Sequence, residues 1–491
     1  MVKFSRAIFI GIYIIWNIAN IIYIDSLSSL RQALLQNIIS WLAIILIIAS
    51  VAFSVAYRKS RIVITLPALC YCLALIILVV SLIFSKKANQ ELDLWYWSGI
   101  TGGVLFYIVG LQLKNKWSIQ FFCIYGYIAV VGIQAILAFY QYLFESDAFY
   151  FAEEMRSNGL SQHINVLSIN ISTACLLSLT TLILSQFRLS SKRNEQFRIT
   201  AIGILIFIFT LMIILFQAIT SILIFIICMF IFTFLFYKKN KARFIGSYLI
   251  IFFALLMSAY LINERIESID DFLVNQFYLN QILRFSMTLF FEQPYELWSD
   301  ILLQESNHNK ITLPFLNIQY FITPRSHNEI FLWIMTGGYI NLIFMSLVLT
   351  GGVYIAFQSF IKYKENGNGY SLAIILSITP MIIYSNIKYP FLLSALHWGM
   401  IILFLSFSDV AFPLKTQSLF YINRKLSHLF GFVVSFIALA IFIIGLFILN
   451  REQSIYENDL NQEIKLSTNK ITQNNNGSSL PINITNSNNA I

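Results

Sequence analysis

The strongest constraint on this chain is a recurring run of about 20 apolar residues, the length that spans roughly 30 Å of hydrocarbon as a helix. Windows of about 19 residues place such runs near 5–24, 35–56, 62–84, 96–113, 118–143, 166–186, 199–216, 219–237, 244–262, 339–361, 371–387, 391–411 and 429–449, thirteen in all. The first run has no small-residue cleavage site and exceeds the apolar core of a signal peptide, so it reads as a retained span. Composition agrees: 58% of residues are hydrophobic and 11% charged, where soluble chains carry about a quarter charged residues. Mean hydropathy is +0.75. These values exclude a soluble enzyme, a secreted disulfide scaffold and a nucleic-acid-binding domain. The five cysteines, Cys70, Cys72, Cys123, Cys175 and Cys228, all fall inside apolar runs and match no zinc spacing.

Sorting the connections alternately, from an amino terminus bearing Lys3 and Arg6, separates the charges. One set holds 20 of the 32 Lys/Arg and only Glu195, Glu365 and Asp409 of the 23 acids. The positive-inside rule puts that set in the cytoplasm and the carboxy terminus outside. The weakest hairpins lie near Gln217 and Lys388. The expected organisation is all-α and polytopic: amino-terminal spans in 1–143, a core in 144–361, carboxy-terminal spans in 362–449, and a polar, disordered tail in 450–491.

Two outside connections are long enough for chemistry, 144–165 and 263–328. In the second, residues 269–292 read as one helix with a wide apolar face and a polar stripe of Gln276, Asn280, Arg284, Thr288 and Glu292. Its plainer reading is an interfacial helix whose Arg284 faces water or headgroups. Further on, Ser326-His327-Asn328-Glu329 has capping-box spacing before an apolar run, so a helix should start at His327 and break near Gly337-Gly338. An imidazole in a helix's first turn stays neutral beside the positive dipole end and can accept a proton. The neighbouring N–H groups and Arg325 suit an anion. A capping or interfacial histidine is the alternative. The shorter connection carries Arg156, Gly159 and Asn165, the last also readable as a helix N-cap.

Together these elements resemble the bacterial O-antigen ligase and polymerase superfamily. The resemblance runs through Arg156-x-x-Gly159 with Asn165 six residues on, Arg284 in a helix running to Pro294, and His327-Asn328-Glu329 with Gly337 about ten residues later. It covers roughly 144–361. Two local patterns depart: His163-Ile164-Asn165 stands where the family often has Asn-Pro-Asn, and Tyr295-Glu296-Leu297-Trp298 where it has Gly-x-Gly. The resemblance implies a multi-span inner-membrane glycosyltransferase, GT-C-like, with a large helical extracytoplasmic loop. Its donor would be an undecaprenyl-pyrophosphate-linked glycan, and its acceptor a glycan, lipid A core or a protein hydroxyl. His327 is expected to activate or position the acceptor hydroxyl, and Arg284 and Arg156 to hold the pyrophosphate. Arg325, Asn165 and Asn328 are further substrate-binding candidates. No metal or other cofactor is expected, since pyrophosphate is already a good leaving group and arginines can stabilise its charge.

Ligase, polymerase and protein O-oligosaccharyltransferase are not separated by these residues. A polysaccharide transporter or flippase of lipid-linked glycans is the competing class, since many spans and a basic cytoplasmic face suit it equally. Transporters commonly carry ionisable groups within spans. Here His397 is the clearest such group, and it reads as a packed polar residue rather than a proton relay.

Overall fold

The computed structural model describes residues 2–19, 35–58, 60–84, 90–113, 117–144, 164–263, 311–312, 319–320, 329–385, 394–411 and 420–446. Within them each apolar run forms a helix: α1 Val2–Ala19, α2 Leu35–Tyr57, α3 Leu66–Phe84, α4 Gln90–Leu111, α5 Trp117–Phe144, α6 Ile164–Ile183, α7 Lys192–Leu215, α8 Ile219–Phe236, α9 Lys241–Asn263, α10 Glu329–Asn366, α11 Tyr370–Tyr384, α12 Ala395–Val410 and α13 Arg424–Leu446. The all-α expectation therefore holds for the described residues, and the long apolar helices mark a membrane protein. Seven are long and apolar enough to cross a membrane: α2, α5, α6, α7, α9, α10 and α13. In the other six, the described apolar stretches are shorter.

Polar contacts between connections gather the basic set at one end of the bundle. Val63–Ile64 pairs antiparallel with Phe420–Tyr421, and Gln112 hydrogen-bonds to Val63 on both its N–H and C=O. Gln186 donates to Asn368, and Lys239 to the Gly367 carbonyl. Each of these residues lies in a connection of the basic set or at the end of a run that adjoins one. Connections from the start and the finish of the chain thus share one end.

The helix at the centre is α6. Its span Val166–Ile183 is entirely buried, packed against α5, α7, α8, α9 and α11. Ser, Thr and Ala are interspersed along it among Leu and Ile, and such small residues let helix backbones approach closely where lipid supplies no hydrophobic drive. Several of the hydroxyls are satisfied within the protein: Ser172 and Ser178 donate to carbonyls four residues back, at 2.9 and 2.7 Å. Thr180 bonds Ser377 of α11 at 3.1 Å, and Tyr127 of α5 donates to Asn170 at 2.8 Å. By contrast, α13 is almost wholly exposed, as a lipid-facing helix should be, and packs one side on α2. There Gly431 lies so close that an added Cβ would fall 2.8 Å from the Ala52 carbonyl oxygen.

Two arginines hold the last turn of α6, where carbonyls lack intrahelical partners. Arg198 Nη1 donates to Thr181 O at 2.7 Å and Arg243 Nη1 to Leu182 O at 3.0 Å. Glu195 offsets their charge, accepting two bonds from Arg198 and one from Arg243 at 2.7–2.8 Å. Positive charge at a helix C-terminus is favourable, and the bidentate geometry fixes the fork.

One expectation is corrected. Gly337-Gly338 does not interrupt the helix after Glu329; α10 runs unbroken for 38 residues, roughly 57 Å at about 1.5 Å per residue. Each glycine costs a helix about 1 kcal/mol, whereas breaking the backbone in an apolar setting leaves N–H and C=O groups unpaired at a larger cost. Asn165 is likewise the second residue of α6 rather than its N-cap. The helix expected over 269–292, the hairpin near Lys388 and the tail from 450 lie outside the described residues.

The α7–α8 hairpin turns on Gln217, an exposed residue with φ of 52°, a conformation that penalises any side chain with a Cβ. Replacing Gln217 by glycine should raise stability by roughly 0.5–1 kcal/mol, and by valine lower it, read from thermal melting of the purified protein. Arg198→Ala, which strips the half-buried Glu195 of its bidentate partner and leaves the Thr181 carbonyl unpaired, should destabilise by about 2 kcal/mol in the same measurement.

Candidate functional site

Five of the residues singled out from the sequence, Arg156, Arg284, Arg325, His327 and Asn328, lie outside the described residues, as does the side chain of Asn165. The structure neither brings them together nor separates them. It does describe the helices that flank their segments. α5 and α9 finish, and α6 and α10 begin, at the end of the bundle opposite the basic one.

Buried polarity divides sharply between the two ends. Among the described residues, the three buried charged side chains, Arg198, Lys362 and Asp409, all sit toward the basic end. Of seven buried Asn and Gln side chains, all but Gln120 occupy the opposite halves of their helices: Asn17, Asn37, Gln134, Gln141, Asn170 and Asn341. Among the described residues, that half of the interior is therefore uncharged but rich in hydrogen-bonding groups.

His397 belongs to this interior. It is the third residue of α12, fully buried, with the Val166 backbone of α6 alongside its ring. Neither ring nitrogen forms a hydrogen bond of good geometry. The surroundings fix its place. Asn37 of α2 accepts from the Ala395 N–H at 2.9 Å, two residues before it. Trp398 donates to the Gly99 carbonyl of α4 at 3.2 Å. Trp16 of α1 lies over Gly399, where an added Cβ would come within 2.6 Å of the indole. Four helices thus converge on the first turn of α12. The apolar surroundings agree with the sequence reading of a packed residue, but the packing supplies no well-formed partner.

At the basic end the polar groups are paired. Asp409, the second-last residue of α12, accepts from Thr65 at 2.5 Å and from Tyr107 of α4 at 2.8 Å. Tyr71 of α3 stacks edge-on against Tyr107. Lys362, near the end of α10, donates to the carbonyls of Asp409 at 3.1 Å and Ala411 at 3.4 Å, completing the C-terminus of α12 as a cation should. In the sequence both residues counted simply as charges of cytoplasmic connections. The available signal was that Asp409 is the only acid between Glu365 and Glu452, at the end of a long apolar run. This cluster joins α3, α4, α10 and α12.

Among the described residues no three His, Cys, Asp or Glu side chains converge as metal ligands do. Comparison with known protein families and with curated proteins finds no match to this chain.

Removing the Asp409 carboxylate leaves Thr65 and Tyr107 without their buried acceptor. Asp409→Ala should cost about 3 kcal/mol, seen as a lower melting midpoint, while Asp409→Asn, which keeps one acceptor oxygen, should lose less.

Proposed function

We propose that this protein is a membrane glycosyltransferase of the O-antigen ligase or polymerase type. It moves a glycan from an undecaprenyl-pyrophosphate carrier to an acceptor hydroxyl on the outer face of the bacterial cytoplasmic membrane. The observation that carries this reading is the order of Arg156-x-x-Gly159 with Asn165, then Arg284, then Arg325 with His327-Asn328. All fall in two connections assigned by charge to the outer face, with the amino terminus inside and the carboxy terminus outside.

The chemistry follows from what those groups can do. The acceptor oxygen attacks the anomeric carbon as the bond from that carbon to the pyrophosphate oxygen breaks, inverting the centre. His327 takes or orients the hydroxyl proton. Arg284 and Arg156 hold the departing diphosphate, their planar donors matching its oxygens and their fixed charge stabilising the negative charge that develops. Asn165, Asn328 and Arg325 position the substrate, and the polyprenyl chain stays in the apolar phase among the helices. Holding both substrates in register contributes as much as any single group. The acceptor is a glycan, lipid A core or a protein hydroxyl.

Lys362, Asp409 and His397, buried within helices, favour a second reading, since ionisable groups inside spans are characteristic of transporters. Lys362 and Asp409 occupy a paired cluster at one end, which suits a structural closure better than a moving relay.

His327→Ala and Arg284→Ala should each abolish the transferred glycan at the cell surface while the lipid-linked donor accumulates in the outer leaflet. Arg284→Lys should recover little, because a point charge does not replace the planar fork. Intact surface glycan in both alanine variants defeats the transferase reading. Donor retained in the inner leaflet of the deletion strain instead supports transport.

A further inference from the structure

We propose that the junction of α2 with the start of α13, at the basic end of the bundle, binds the headgroup of an anionic phospholipid. Two connections distant in sequence build this junction. Val63–Ile64 pairs with Phe420–Tyr421, and the Ile422 N–H donates to the Ile62 carbonyl at 3.1 Å. The Ile62 N–H in turn donates to Ser427 Oγ of α13 at 3.1 Å. These bonds bring Arg61, one residue before Ile62, to the segment that carries Arg424 and Lys425. All three side chains are exposed, as is Arg58 just past α2. Neither segment supplies an acid to offset them: no Asp or Glu occurs between Asp25 and Glu91, and only Asp409 between Glu365 and Glu452. Asp409 is buried and engaged by Thr65 and Tyr107. The ion pairs among the described residues lie elsewhere, at Glu195.

The fold gains nothing from gathering these charges. Like charges repel when strand pairing draws their segments together, and Arg424 and Lys425 oppose the dipole of the helix they open. The positive-inside rule accounts for basic residues in each connection, but not for their assembly into one patch. A second observation sets the class of the partner. Beside the charges runs a seam of rings on the lipid-facing side: Phe53 of α2 lies 6.2 Å from Tyr57 and 6.1 Å from Phe432 of α13, and His428 lies 4.8 Å from Phe432. Phe53, Tyr57 and Phe432 are exposed, as are Phe420 and Tyr421. Aromatic rings of this kind sit at headgroup depth in a membrane, and only 11% of the α13 span is buried by protein. A ligand with a phosphate for the cations and an acyl chain for the rings matches both features, whereas a soluble anion matches only the first. Bound there, the lipid bridges α2 to a helix that few protein contacts hold. This inference is independent of the transferase reading.

The test uses the full-length protein in neutral detergent micelles, titrated with palmitoyl-oleoyl phosphatidylglycerol. Phosphatidylcholine with the same chains and inorganic phosphate serve as contrasts. Phosphatidylglycerol should raise the melting midpoint by about 3 °C, and neither contrast should reproduce that shift. Each basic side chain near a lipid phosphate contributes about fivefold in affinity. The triple variant Arg61→Gln/Arg424→Gln/Lys425→Gln should therefore raise the half-saturating lipid concentration more than about tenfold, while its lipid-free midpoint stays at or above that of the wild type. A comparison triple, Arg188→Gln/Lys192→Gln/Arg193→Gln, removes the same charge from exposed positions between α6 and α7. It should leave the half-saturating concentration within about twofold, because distant exposed charges are screened. The proposal is overturned if phosphatidylglycerol produces no shift, if either contrast matches it, or if the two triples weaken binding alike. A site triple that melts lower without lipid, or does not fold, also overturns it, because the charges would then be serving the fold.

Discussion

A helix enclosed on every side by other helices must satisfy its polar groups inside the protein, because neither water nor lipid reaches them. The arrangement of this bundle depends on that constraint at α6. Ser172, Ser178 and Thr181 turn back onto the backbone of α6 and Thr180 reaches across to α11, and the last carbonyls of α6 are held by Arg198 and Arg243. Small residues on α6 bring α5, α7, α9 and α11 close enough for those bonds to form. Larger side chains would have pushed the neighbours apart and left the hydroxyls unpaired.

The two ends of the bundle solve different problems. At the basic end, each buried charge is paired: Arg198 with Glu195, Asp409 with two hydroxyls, Lys362 with the carbonyls that close α12. These networks tie the termini of seven helices into one rigid base. The opposite half has amides, hydroxyls and an imidazole instead, some paired between helices and some not.

Much of the architecture could be read from the residues. Each apolar run became a helix. Gly337-Gly338 misled because local propensity weighs about 1 kcal/mol per glycine, and an apolar environment outweighs it. Asp409 and Lys362 were counted as connection charges because hydropathy averages over a window and cannot see that a residue at a helix end folds inward onto three neighbours. The packing of His397 beside the Val166 backbone could not be read either, since α6 and α12 are distant in sequence.

By itself the sequence determined the solvent, the helical class and the segregation of charge, because each follows from transfer free energies summed along the chain. It also supplied the ordered arginine and histidine pattern from which the proposed chemistry is drawn. Only the tertiary structure decided which helix is enclosed, which charges are buried and paired, and which polar groups stay unmatched. Those outcomes depend on contacts between residues hundreds of positions apart, such as Thr65 with Asp409 and Asn37 with Ala395, and no local property of either partner specifies the other.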